Sequence, residues 1–456
     1  MSASSLDPLA EFAARIDTGA LDPEVVEKSK ACLLYGLAVG TASMKAAAPR
    51  IAAQMFGTEY AGASESATRL IDGRRMPAVI AAYCNAALLH ARVQEDAHPC
   101  GHLGVVVLPA ALAVAERVGA RGRDVLAAIV AGYEVALRIG RDHATDLSKC
   151  GFRTTSAYGV FGAAACAARL MKLDARQTRD ALSLAASMAG GLREFVDAGT
   201  EEYPFQAGFA ARNGIEAARL AATGVAAAPG ALDGAAGFYR AFAGQSKDYG
   251  RRIAERLGEQ FEFMQIAYKP YPACQFNRGM INGVLNLRSQ AGDAEPDSMI
   301  VRMYPFEADF LGVRFTGPFT TFPQTFMSAP FCAALAWVKG AVSYAGMHTF
   351  GDREVLRLLP RVQVVADPSR APYQPHVSVM LAGATTLAWD ETEGSEKYRL
   401  TWDTATRMAS SLCAEAGVPA DKLARLGDTI AHLDTAGSVR DAAAAAADAC
   451  AAALAQ

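Results

Sequence analysis

Apolar side chains recur at three- and four-residue intervals through roughly the first 260 residues, the spacing of helices that bury one face. Asp22 predicts a helix start, with Pro23 at the first helical position, where a missing N–H costs nothing. Val26, Leu33 and Leu37 give that helix its apolar face. By the same reasoning Pro109 is expected to open a helix over AALAVAERVGA. Asp124 precedes VLAAIVAGYEVALRIG, where Val125, Ile129, Gly132, Ala136 and Ile139 follow helical spacing. Glu134 and Arg138 stand at i,i+4 on that helix, either as a surface pair or buried together. Further helices are predicted at about 157–172, 176–190 and 207–223, the last closed by Gly224. Gly and Ala dominate YGVFGAAACAARL and AGFAARNGIEAARLAATG, so close helix–helix approach is expected there. Arg169, Lys172, Arg212 and Glu216 exclude a membrane-spanning reading of the same small-residue stretches.

The pattern changes near residue 264. MIVRMYP (299–305) is strand-like, RVQVVAD (361–367) alternates, and HVSVML–AG–ATTLAW reads as a hairpin. In that hairpin Val377, Val379 and Leu381 share one face, and Leu387 and Trp389 line the partner strand. Pro330 starts a helix over FCAALAWVKGAV, and the helical pattern returns at about 402–456. The predicted fold is mostly α with an α+β insertion. A large helical-bundle domain (1–263, resumed at 402–456) carries a smaller α+β lid domain (264–401). Such an order predicts a ligand cleft where the two bodies meet.

Composition narrows the class. Of 456 residues, 52% are hydrophobic and 20% charged, which excludes a disordered polyelectrolyte. Lys and Arg (44) nearly balance Asp and Glu (47), so no basic excess draws the chain to nucleic acid or to an anionic membrane. No secretory signal pattern opens the sequence, and no run approaches the ~20 apolar residues that span a bilayer. The nine cysteines (32, 84, 100, 150, 166, 274, 332, 413, 450) are scattered without a CxxC pair, which points to reduced thiols and a cytoplasmic protein.

Candidate chemistry concentrates in polar islands between the helices. The densest is Arg92-Val-Gln-Glu-Asp-Ala-His-Pro-Cys-Gly-His102, ahead of the apolar LGVVVLP. A metal reading would use Asp96, His98 and His102, but Pro99 and Gly101 oppose the helix that would align an i,i+4 pair. A plain surface loop and a proton-transfer site are the other readings. A second island, Cys150-Gly-Phe-Arg-Thr-Thr-Ser156, precedes a helix. It reads either as an anion site reinforced by Arg153 or as capping by Thr155 or Ser156. Gly199-Thr-Glu-Glu-Tyr-Pro-Phe-Gln206 and Tyr268-Lys-Pro-Tyr-Pro-Ala-Cys-Gln275 are the third and fourth. No GxGxxG after a strand, GxxxxGK[ST] or GxSxG motif occurs, and His143, His348, His376 and His432 stand isolated, most simply as structural residues.

In order along the chain these islands resemble the MmgE/PrpD family, whose members include 2-methylcitrate dehydratase, cis-aconitate decarboxylase and iminodisuccinate epimerase. The resemblance is carried by HPCGHLGVVVLPAALAVAE (98–116), GRDVLAAIVAGYEVALRIG (122–140), FRTTSAYGVFGAAACAARLMKLD (152–174) and FQAGFAARNGIEAARLAATG (205–224). YKPYPACQF (268–276) and MSAPFCAALAWVKG (327–340) extend it. It implies a helical domain with a lid, a homodimer, no metal or organic cofactor, and an active site between domain and lid. His102 matches the family's loop histidine and Lys269 its lid lysine. Arg92 and Asp96 stand where the decarboxylase pattern has Asp and Thr; Arg153 replaces a histidine, Tyr203 a lysine, and Gln206 and Cys274 two further histidines.

The resemblance therefore implies a catalytic set of His102, Lys269, Tyr203 and Asp96, with Arg92, Arg153, His98, Gln206 and Cys274 binding substrate. Imidazole has the intrinsic pKa nearest neutrality, so His102 is the preferred acid or base, and the cations suit a small anionic polycarboxylate. The expected activity is a lyase, of dehydratase or decarboxylase type, that moves a proton α to a carboxylate or carbonyl. The replaced positions point away from cis-aconitate and 2-methylcitrate as substrates. Epimerisation by the same proton abstraction, or ligand binding without catalysis, are the alternatives.

Overall fold

In the computed structural model, residues 4–57, 60, 66–245, 247–292, 294–382, 385–435 and 437–455 are described. Among them are twenty α-helices and six short strands, so the protein is mostly α with a small α+β portion. The chain divides into two units. One comprises Met1–Leu192, Tyr203–Ile266 and Leu400–Gln456; the other comprises Arg193–Glu202 and Ala267–Arg399. Residues 193–202 group with the second unit although the residues on either side of them belong to the first.

The first unit is a bundle built around helices with little polar surface. Helices Ala78–His90, Gly104–Val118, Gly122–Gly140, Thr154–Leu170 and Tyr203–Ala222 are buried over most of their lengths. Small residues set how closely they approach. A Cβ on Gly132 would stand 2.8 Å from Gly162 O, and one on Gly162 the same distance from Gly132 O, so the two backbones nearly touch. Asp22 caps the helix Pro23–Ala42 by accepting from Glu24 N–H (2.9 Å), as its sequence position predicts.

Three local expectations change. Pro109 lies inside the helix Gly104–Val118 and does not open it. The turn lost to its missing N–H is tolerated because the whole stretch Gly104–Glu116 is buried, and tertiary packing outweighs local propensity. The helix expected at Asp124 already begins at Gly122, with Asp124 in its first turn. Thr155 and Ser156 do not cap the helix Thr154–Leu170, whose N-cap is Arg153; their hydroxyls bond elsewhere. Glu134 and Arg138 form a fully buried pair at 2.6 Å, the second of the two readings their spacing allowed.

The second unit holds a four-stranded mixed sheet in the order Val362–Ala366, Pro296–Met303, His376–Leu381, Thr386–Asp390. Pro296–Met303 runs parallel to the first of these and antiparallel to the third. The hairpin pairs Val377 with Trp389 and Val379 with Leu387, and its faces match the alternation in the sequence. Gly383 of the expected turn lies outside the described residues. Pro330 stands in the first turn of the helix Ala329–Lys339, as predicted. Among the described residues no single helix is long and apolar enough to cross a membrane.

Candidate active site

The polar island at 92–102 is a loop of the first unit, pressed between helices. The buried helix Ala78–His90 ends on His90. Val93 then adopts φ +58, a left-handed conformation that a β-branched side chain resists, and its N–H returns to His90 O at 3.2 Å. Arg92 anchors this turn, donating to Gln94 Oε1 (3.0 Å), Ala42 O (3.1 Å) and Glu415 Oε2 (2.7 Å). These bonds tie the loop to two helices of the bundle.

His98 and Gly101 exchange backbone hydrogen bonds (3.1 and 2.8 Å), closing a tight turn over Pro99 and Cys100. Gly101 sits at φ +108, and a Cβ there would come within 2.8 Å of Thr155 N. The turn thus lies against the start of the helix Thr154–Leu170, where Thr155 Oγ1 accepts from His102 N–H (3.1 Å). That helix start is held in turn by Arg153 N–H to Gly191 O (2.9 Å) and Ser156 Oγ–H to Gly190 O (2.7 Å).

Around His102 the acceptors are well defined. Its Nδ1 lies 2.7 Å from Asp96 O, and a carbonyl oxygen only accepts, so Nδ1 carries the proton and Nε2 is the basic nitrogen. Glu95 lies alongside, Oε1 3.4 Å from His102 Nδ1 and Oε2 3.2 Å from His90 Nδ1. The side chains of His90 and Glu95 are 1% and 2% exposed, whereas His102 keeps 15%. Solvent, and therefore a ligand, reaches His102 more readily than the two groups behind it. The Asp96 carboxylate accepts from Gly104 N–H (3.2 Å), at the N-terminus of the helix Gly104–Val118, and from the Tyr133 hydroxyl. Asp96 thus orients His102 through its carbonyl, and the carboxylate facing both histidines is that of Glu95.

Arg153 donates to Tyr203 O (2.8 Å), to Gln206 Oε1 (3.4 Å) and to His90 Nε2. Its guanidinium carbon is 5.7 Å from the centre of the Tyr203 ring, which also meets His90 edge-on at 5.1 Å. Tyr203, the first residue of its helix, donates its hydroxyl proton to Ala91 O (2.8 Å), while Gln206 Nε2 reaches Leu192 O (3.0 Å).

His98 is placed differently. Its Nδ1 accepts from Cys100 N–H (3.2 Å), and Nε2 is buried with no hydrogen-bond partner among the described residues. Burial and the nearby Lys28 cation push its pKa down to about 3, so it stays neutral at working pH and offers no charge to an anion. Lys28, itself buried, donates to Ile266 O (2.5 Å) and Leu400 O (2.6 Å). His143 is also structural: it sits between Tyr158 Oη (2.9 Å) and Tyr239 O (3.1 Å), its pKa pushed down to about 4 by burial.

Of the residues singled out in the sequence, the first unit brings His102, Arg153, Tyr203 and Gln206 together, with Asp96 behind. Arg92 holds the loop, and Lys269 and Cys274, both buried, belong to the second unit. Two residues of the cluster are absent from that selection. His90 closes an apolar helix, where a lone polar residue carries no motif signal, and Glu95 stands beside Asp96 with the same side-chain chemistry. His90 does sit two residues before Arg92, a polar side chain at the rim of the densest polar island. Among the described residues no three His, Cys, Asp or Glu side chains converge as a metal ion requires.

The family model described as the MmgE/PrpD N-terminal domain matches residues 7–249. Human cis-aconitate decarboxylase is 31% identical over 265 residues, which is 57% of this chain and 54% of that protein. The cis-aconitate decarboxylase of Aspergillus terreus is 29% identical over 301 residues, 62% of this chain and 60% of the relative. The mouse protein of the same name is 31% identical over 206 residues, 44% and 41% of the two chains. The chain thus spans about half the length of the curated relatives it matches.

Proposed function

The chain belongs to the MmgE/PrpD family, and from that premise we propose that it is a lyase acting on a small polycarboxylate by proton transfer at carbon α to a carboxylate or carbonyl. The observation that carries this reading is the state of His102: Nδ1–H directed at Asp96 O, Nε2 left as the base, and partial exposure. In the proposed step Nε2 takes the Cα proton, and the C–H electron pair moves into the adjoining carbonyl system as an enolate. Elimination then follows: the enolate expels a β-hydroxyl, which leaves as water with the proton that His102 returns. In the decarboxylase variant, His102 Nε2 first takes a proton from solvent; cleavage of the C–C bond to a carboxylate releases CO₂, the bonding pair stays on carbon, and that carbanion takes the Nε2 proton, returning His102 to the neutral imidazole.

Arg153 remains a guanidinium at any working pH, so it contributes charge and positioning where a histidine would also exchange protons. This supports a substrate other than cis-aconitate or 2-methylcitrate, although the relatives in the comparison carry the name of the former. Lys269 enters the proposal from the family resemblance alone. The nine free cysteines fit a reducing compartment such as the cytoplasm.

Proton NMR in D₂O tests the proposal on a panel of di- and tricarboxylates that includes cis-aconitate and 2-methylcitrate. We expect C–H exchange or product from at least one other member, its loss in His102→Ala and Lys269→Ala, and loss of ligand-induced thermal stabilisation in Arg153→Ala. Robust turnover of cis-aconitate or 2-methylcitrate would refute the substrate assignment. Turnover that survives His102→Ala would refute the role of the histidine, and stabilisation without exchange across the panel would favour a binding protein.

A further inference from the structure

His90 has no part in the chemistry described so far, yet it is buried at the centre of the cluster. Arg153 donates to its Nε2, and a guanidinium carries only N–H donors, so that nitrogen must present its lone pair. The His90 proton therefore sits on Nδ1, facing Glu95 Oε2 at 3.2 Å. The other Glu95 oxygen is 3.4 Å from His102 Nδ1, which is likewise protonated because it points at Asp96 O. One Glu95 oxygen thus lies beside each Nδ1 at ion-pair distance, and the tautomer of each imidazole is dictated by a group that only donates or only accepts: Arg153 for His90 and Asp96 O for His102. Protonating His90 would also set an imidazolium against the Arg153 guanidinium, which like-charge repulsion opposes.

We propose that Arg153, His90 and Glu95 form a positioning chain that holds His102 in its Nδ1–H tautomer, with the base on Nε2. Arg153 donates to His90 Nε2 and so leaves the His90 proton on Nδ1, beside one Glu95 oxygen; the negative Glu95 side chain, its other oxygen 3.4 Å from His102 Nδ1, favours a proton on that nitrogen through its charge. His90 is a positioning residue and touches no substrate. The inference rests on the reading of His102 as the base, but it concerns the resting protein and needs no substrate.

The test is nitrogen-15 NMR of the full chain labelled at histidine, at pH 7.5, with His90 and His102 assigned from His90→Gln and His102→Gln. In the unmodified protein both residues should show a pyrrole-type Nδ1 and a pyridine-type Nε2. Arg153→Met removes the donor while keeping an unbranched side chain, and should shift His90 to a tautomer mixture and reduce the Nδ1–H preference of His102. Arg153→Lys retains a donor and should restore the His90 pattern. A His90 protonated on Nε2 in the unmodified protein would overturn the proposal without any variant having to fold, as would a pattern unchanged in Arg153→Met. If no polycarboxylate is turned over but these tautomers are found, the lyase reading fails and the positioning chain stands.

Discussion

Arg138→Met tests how much the first unit depends on its buried ion pair. The guanidinium donates to Glu134 Oε1 (2.6 Å) and to three carbonyls of one crossing segment: Ile253 O (3.0 Å), Glu255 O (2.8 Å) and Gln260 O (2.7 Å). Glu134 in turn accepts from Glu262 N–H (3.2 Å) and Phe263 N–H (3.0 Å). The two side chains are 1% and 0% exposed, so solvent screens neither. Removing one member of such a pair leaves the other charge buried, at a cost of about 3–5 kcal/mol. For a unit of this size that corresponds to a fall in melting temperature on the order of 5–10 °C. Burial already holds the Glu134 carboxyl above its ordinary value against the lowering effect of Arg138, and removing the cation raises it further. A raised carboxyl stabilises the folded state while it is protonated, and that contribution is lost as pH climbs through the raised value. The deficit of Arg138→Met should therefore be larger at pH 8 than at pH 5, by about 1.4 kcal/mol for each further tenfold rise in the proton affinity of that carboxyl. Thermal melts at the two pH values measure it, together with the double variant Glu134→Leu/Arg138→Met. The double variant should be less destabilised than the sum of its parts by about 2 kcal/mol or more, because it leaves no orphaned charge. Additive effects, or a deficit below about 1 kcal/mol that ignores pH, would refute the reasoning.

Gly101→Ala should destabilise the protein by roughly 2–3 kcal/mol, because a Cβ meets Thr155 N in a conformation that L residues avoid; a thermal melt within about 0.5 kcal/mol of the unmodified protein would show that the turn opens at little cost. The homodimer implied by the family resemblance has a candidate face in the first unit, where Ile51, Met55 and Phe209 are 52%, 46% and 45% exposed on two adjacent helices. Light scattering should give twice the 47.9 kDa chain mass and Phe209→Asp should reduce it, whereas a 47.9 kDa particle for the unmodified protein at micromolar concentration would refute association.

Local sequence was sufficient wherever a residue's role depends on its neighbours in the chain. Asp22 and Pro23 announce a helix start because cap and N1 chemistry act within three residues, and alternation sets the hairpin faces because strand side chains alternate. The spacing of Glu134 and Arg138 showed that they would meet, but only the packing of residues 253–263 over that helix decided that they meet out of water. Pro109 shows the limit from the other side: its helix-start signal was local, and burial of the surrounding turns carried the helix through it.

At the site, the motifs marked His102, Arg153 and Tyr203 through family resemblance, but which acceptor each nitrogen meets is a matter of three-dimensional placement. His90 and Arg153 are 63 positions apart, and only the crossing of two helix ends brings imidazole and guanidinium together. Between the adjacent carboxylates Glu95 and Asp96, composition makes no distinction. The strained turn at Val93 and the start of the helix at Gly104 decide it, aiming one carboxylate at the histidines and the other at Gly104 N–H and Tyr133. The sequence by itself determined the fold class, the family and the loop that carries His102. The tertiary structure alone assigned the tautomers and the charge around His102, because these depend on contacts between groups distant in the chain.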